Sequence, residues 1–162
     1  MGSAQKFLQQ INNPFKQRFF LLSKLPSAYF SGVRVLFADE EKCVVTVPYK
    51  WFSKNPFKST YFACHSMAAE MSTGVLAMAH LYKLNPPVSM LVTRVTGDFS
   101  KKAVKRTSFT CEDGLKIKQT IEDAISTGQG TMITARSTGR NPGGEIVAQF
   151  EVTWSFKVKS RS

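Results

Sequence analysis

The chain has 162 residues and carries 22 Lys and Arg against 11 Asp and Glu, a net charge of +11 that favours anionic partners: nucleic acid, anionic lipid or phosphorylated small molecules. This length fits one domain that buries roughly two-thirds of its unfolded surface without staples, and Cys43, Cys64 and Cys111, widely spaced and with no C-x-x-C pair, exclude a disulfide framework and a zinc site. Thirteen Phe residues point to a voluminous apolar interior or an apolar ligand tunnel.

The first residues lack the apolar core of a signal peptide, and Lys6 stands where a myristoylation motif places Ser or Thr, so a cytoplasmic location is expected. Residues 4–25 have a helical pattern, with Phe7, Leu8 and Ile11 on one stripe and Phe15, Phe19 and Leu22 on another. Asn13-Pro14 divides the two pieces, because the residue before a proline is pushed out of the helical region. The second piece, with Lys16, Arg18 and Lys24 on its other faces, either packs on the body of the domain or lies on an anionic membrane surface, and packing is the more economical reading. Leu25-Pro26 closes this region. Residues 33–38 and 43–47 are β-branched runs around the polar turn Asp39 to Lys42, which predicts a hairpin. Residues 48–59 read as a loop.

Residues 59–82 contain a single formal charge, Glu70, in a run rich in Ala, Met and Leu. The spacing predicts a central helix buried all round. It is long enough to span a bilayer, but a mid-helix carboxylate, two His and several Ser and Thr exclude a membrane span. A buried carboxylate is costly unless it has a partner or a role, so Glu70 is the first functional candidate. The unpaired amides at the helix start, around Tyr61 and Phe62, are candidate donors to an oxyanion. An amide eight residues before Glu70 lies about 80° from it around the axis, on the same side. Ser66 and Thr73 share the face of Glu70 and either satisfy its carboxylate or line the site. His65, roughly 140° away, reads as a core or interface histidine.

After the stop at Asn85-Pro86-Pro87, residues 88–99 form a strand candidate and residues 104–111 its expected antiparallel partner. Residues 114–127 fit a short amphipathic helix through Leu115, Ile117, Ile121 and Ile125. Residues 131–138 are a strand, Asn141-Pro142-Gly143-Gly144 is turn chemistry, and residues 145–157 alternate cleanly as a closing strand. The order predicts an α+β layout, a long antiparallel sheet wrapped around one central helix, and a sheet covering a single helix invites a second copy.

The spacing Asn55, five residues, Tyr61-Phe62-Ala63, six residues, Glu70 resembles the pattern of hotdog-fold acyl-CoA thioesterases of the phenylacetate-pathway branch, where an Asn is followed by His-Gly-Gly and then a helix Asp or Glu. The run Gly144 to Gln149 is similar to that family's closing strand. Closer still is a hotdog-related family known only as a domain of unknown function, whose members replace His-Gly-Gly by aromatic and small residues. The resemblance covers about residues 33–156, and implies a single hotdog domain over residues 1–162, of which about the first 30 form a helical extension.

What it implies is a thioester hydrolase. Glu70 would be general base or nucleophile, Asn55 would orient water or thioester across a dimer interface, and the Phe62 N–H would form the oxyanion hole, flanked by Tyr61 and Ala63. Ser89 stands near where relatives place a polar residue facing the thioester. Lys101, Lys102, Lys105 and Arg106 are either a solvated edge or a site for the phosphates of coenzyme A. The expected partners are an acyl-CoA or other acyl thioester and a second copy, as a homodimer or dimer of dimers; no metal, cofactor, specific nucleic acid or transmembrane segment is expected. Because the glycines are missing, a second reading stands beside the enzyme: a non-catalytic hotdog module that binds acyl-CoA or fatty acyl ligands. Nucleic-acid binding is the least supported, since no helix-turn-helix, RNA-binding signature or zinc finger accompanies the charge.

Overall fold

The computed structural model describes residues 2–159. The N-terminal region is three helices, α1 (Ser3–Ile11), α2 (Pro14–Lys24) and α3 (Pro26–Ser31). The break between α1 and α2 follows from local chemistry: the Asn13 side chain accepts from the N–H groups of Phe15 and Lys16, and Pro14 opens the next helix. Pro26 does not close the helical region as expected. It occupies the first position of α3, where its missing N–H costs nothing, and Gly32 ends α3 in the left-handed region at φ 79°.

Six strands follow in chain order: β1 (Arg34–Ala38), β2 (Cys43–Val47), β3 (Val88–Phe99), β4 (Thr107–Cys111), β5 (Thr131–Arg140) and β6 (Ile146–Val158). They form one antiparallel sheet in the order β1-β2-β4-β5-β6-β3. The β1–β2 and β5–β6 hairpins form as the turn residues predict. The expected pairing of residues 88–99 with 104–111 does not occur. β3 lies on the far edge beside β6, and segment 100–106 crosses back to the middle of the sheet, held by Ser100 and Lys101 N–H bonds to Val147 O and by Thr60 bonds to Ala103 O.

The sheet wraps α4 (Phe62–Leu81), and α5 (Gly114–Thr127) packs against α4 and β5. α4 begins three residues later than expected because Thr60 and Tyr61 are extended: Thr60 bridges Lys54, and the Tyr61 N–H bonds Ser53 O at 2.8 Å. A short 3-10 turn at Trp51–Ser53 interrupts the preceding loop. From Ala68 to Ala79 nearly every α4 side chain is buried, against core residues such as Phe109, Phe150, Val152 and Phe156. The burial is not complete. Phe62, Ala63, Ser66, Met67 and Glu70 form a partly open strip along one side of the helix.

The two edges of the sheet differ. On β1 the amide of Gln17 receives the Val35 N–H at 3.1 Å and donates to Val35 O at 2.9 Å, and Asn12 does the same for Ala38 at 2.9 and 2.7 Å. Two side chains thus stand in for a seventh strand. Among the described residues β3 has no such cover, and Leu91, Val95 and Phe99 on it are exposed.

Candidate functional site

A cleft of about 350 Å³ opens at the start of α4, lined by Asn55, Phe62, His65, Phe99, Lys101 and Lys102 among others. Tyr61 caps the helix in an extended conformation and offers no side-chain bond to it. The N–H groups of Phe62 and Ala63 have no acceptor among the described residues, since the first bonds of the helix run from Cys64 and His65 to Tyr61 O. Two adjacent donors therefore stand at the positive end of a 20-residue helix.

Glu70 is half-buried two turns further along. Its Oε1 lies 3.3 Å from where a Cβ on Gly74 would sit, and the Trp154 ring crosses the same gap at 3.2 Å. The Glu70 carboxylate makes no hydrogen bond among the described residues, and burial pushes its pKa above the ordinary 4.5. Neither neighbouring hydroxyl satisfies it. Ser66 donates to Phe62 O at 3.0 Å; Thr73 donates to Glu70 O at 2.8 Å and accepts from Trp154 Nε1 at 2.8 Å.

His65, read from sequence as a core or interface residue, lines the cleft. The residue is 2% exposed, its ring stacked on Phe99 with centroids 6.2 Å apart and set edge-on to Phe109 at 5.3 Å. Neither ring nitrogen has a partner among the described residues, and burial lowers the pKa from 6.5 to about 4, so the imidazole is neutral near pH 7. The sequence signal was a His in the first turn of the helix. Its orphan nitrogens depend on rings from β3 and β4.

No family model matches the chain, and no curated protein matches it in sequence. Solved structures do match in shape. A Pseudomonas aeruginosa protein of unknown function, described as a probable thioesterase, superposes with a TM-score of 0.76 at 17% identity over 93% of this chain and 99% of that one. A thioesterase family protein from Silicibacter pomeroyi gives 0.63 at 15% identity over 98% and 100%, and a Haemophilus influenzae thioesterase 0.62 at 12% over 85% and 87%. The chain adopts the hotdog fold.

On this hotdog scaffold Asn55 serves the loop before α4: its Oδ1 accepts from Phe57 N–H, Ser59 N–H and Ser59 Oγ at 3.0 to 3.2 Å. Its Nδ2 makes one long bond, 3.4 Å to Thr60 O. The basic cluster divides. Lys101, ion-paired with Glu145, and Lys102, which reaches Phe57 O at 3.4 Å, stay at the cleft, whereas Arg106 lines a different groove beside α2 and Lys105 is exposed outside both. Ser89 donates to Lys157 O at 3.0 Å on the exposed edge strand, away from the cleft. Among the described residues no group of His, Cys, Asp and Glu is placed to hold a metal, and no helix is long and apolar enough to cross a membrane.

Proposed function

We propose that the protein is an acyl-CoA thioesterase whose site is shared between two copies of the chain. The observation that carries this reading is the pair of free amides at Phe62 and Ala63, beside a cleft that Phe62 lines, with the unpaired carboxylate of Glu70 further along the same side of the helix as the amides. Within one chain the two halves are too far apart. Eight residues of helix separate Phe62 from Glu70 by about 12 Å along the axis, more than one thioester group spans. A second copy across a two-fold axis, joined at the open β3 edge, would bring the partner's Glu70 to the amides of the first.

In this reading the thioester carbonyl oxygen lies at the Phe62 N–H, with Asn55 Nδ2 directing water or thioester. Glu70 takes a proton from water as the water oxygen attacks the carbonyl carbon, or attacks that carbon itself to give, once the thiolate has left, a mixed anhydride that water hydrolyses to the free acid and the carboxylate. Negative charge gathers on the carbonyl oxygen and is met by the amides. The C–S bond then breaks, and the thiolate leaves and is protonated. His65, neutral and packed between Phe99 and Phe109, forms part of the cleft wall, and Tyr61, Ala63 and Ser66 border the acyl path. Lys101 and Lys102 are placed for the anionic end of coenzyme A, with Lys105 beyond them.

Hydrolysis of short, aromatic and long acyl-CoAs by the wild type and Glu70→Gln tests the reading. The substitution keeps shape and removes the base, so turnover falls by roughly 10² or more while binding of a non-hydrolysable analogue changes little. Equal slow rates in both proteins with tight analogue binding would replace the enzyme by a non-catalytic acyl-binding module.

A further inference from the structure

α2 turns its Phe stripe to solvent. Phe15 is 84% exposed and Phe19 75%, while Gln17 and Leu21 hold the helix to the body. On α3, Phe30 meets Phe52 with ring centroids 6.0 Å apart, and Phe52 meets Trp51, itself 77% exposed. An open groove of about 380 Å³ is bordered by Arg18 and Leu21 of α2 and by Phe30 of α3, and four cations, Arg18, Arg34, Lys50 and Arg106, line it with no acid.

These cations are free to act. None of the four is in an ion pair among the described residues. Arg18 is oriented by Tyr29, whose hydroxyl accepts from Nη2 at 2.9 Å and whose ring lies 5.3 Å from the guanidinium carbon. Gly32 leaves room for Lys50: a Cβ there would sit 2.9 Å from its Nζ. The acids nearest in sequence, Asp39, Glu40 and Glu41, are gathered on the β1–β2 turn, and residues 1–38 contain none.

We propose that this face docks on an anionic phospholipid surface, with headgroup phosphate in the cationic groove and Phe15, Phe19 and Trp51 in the interfacial layer. An exposed helix with an apolar stripe between cations lies in the plane of such a surface, and aromatic rings favour that layer. Other occupants fit less well. Nucleic acid would meet the cations and leave the α2 stripe in water, and a second copy related by a two-fold axis would set these cations against themselves. The inference is independent of the thioesterase reading.

The test is cosedimentation of the intact protein with vesicles of phosphatidylcholine alone and with a third phosphatidylglycerol. Binding is expected on the anionic vesicles, weakening as salt screens the charges. Arg18→Glu with Lys50→Glu lowers the partition coefficient roughly thirtyfold or more, and Phe15→Ser with Phe19→Ser lowers it by a comparable factor. All four side chains are exposed, so both variants keep the fold, which circular dichroism verifies. Brominated lipid quenches Trp51 and spares Trp154, which is buried. The proposal is overturned by absence of binding at low salt, by undiminished binding of either variant, or by a fall in solution mass on Phe15→Ser with Phe19→Ser while vesicle binding persists, which would assign the face to a second copy.

Discussion

Burial disfavours the charged form of both Glu70 and His65, with opposite consequences for stability. His65 stays neutral in the folded protein down to about pH 4, whereas an unfolded His takes its proton near 6.5. The unfolded chain therefore binds more protons across that window, and stability is lost as pH falls through it, by about 3 kcal/mol in total. His65→Gln removes this loss. Urea unfolding midpoints of the variant should drop less than those of the wild type between pH 7 and pH 4.5, and equal drops would mean that the ring protonates freely in the fold. For Glu70 the folded pKa is raised, so the ionised carboxylate costs stability above that pKa and the cost disappears below the ordinary 4.5. Glu70→Gln is accordingly at least as stable as the wild type at pH 7, and the acid limb of turnover lies above the pH of a free Glu.

At the scale of elements, the N-terminal helices belong to the sheet. Gln17 is 4% exposed and makes three bonds, to both backbone groups of Val35 and to Ile11 O. Gln17→Leu keeps the volume and leaves those groups without partners, at a cost of about 2 kcal/mol or more. Chemical denaturation would register this as a lower midpoint, and amide exchange at Val35 would accelerate; an unchanged midpoint would mean that the helices are not fastened to β1 in this way. Elements whose burial is periodic were legible in the sequence, as in the alternation of β6 and the apolar run of α4. The partner of β3 was not, since a short link between two apolar runs imitates a hairpin, and the bonds from Thr60 to Ala103 that carry segment 100–106 across the helix start are long-range. In the candidate site Glu70 was legible as the one charge in an apolar helix. The isolation of His65 was not, because it needs Phe99 and Phe109 from two other strands. The α2 stripe was legible as apolar, but whether it faced the core was decided by Gln17 pairing with β1.

At the scale of the whole molecule, one edge of the sheet is closed by side chains and the other, β3, has no such cover among the described residues, while α4 keeps a partly open strip. Joining two copies at β3 would cover both and make a catalytic unit of an amide pair from one chain and a carboxylate from its partner. Light scattering at micromolar concentration should give twice the chain mass. A stricter check uses a proline. Phe62 is the first residue of α4, where a helix tolerates proline, and Tyr61 before it already has the extended conformation, φ −64° and ψ 132°, that a following proline requires. Phe62→Pro therefore deletes the N–H while keeping the helix, and Phe62→Ala controls for the lost ring. Alone, Phe62→Pro and Glu70→Gln should each keep about a hundredth of the wild-type rate or less. If the two halves of a site come from different chains, subunit exchange between these variants puts both defects in one site of the heterodimer and leaves the other intact. An equal mixture then recovers about a quarter of the wild-type rate for random pairing in a symmetric dimer. If the halves belong to one chain, every site in the mixture keeps one defect and no activity returns, a result that would leave the dimer standing and remove its role in the chemistry.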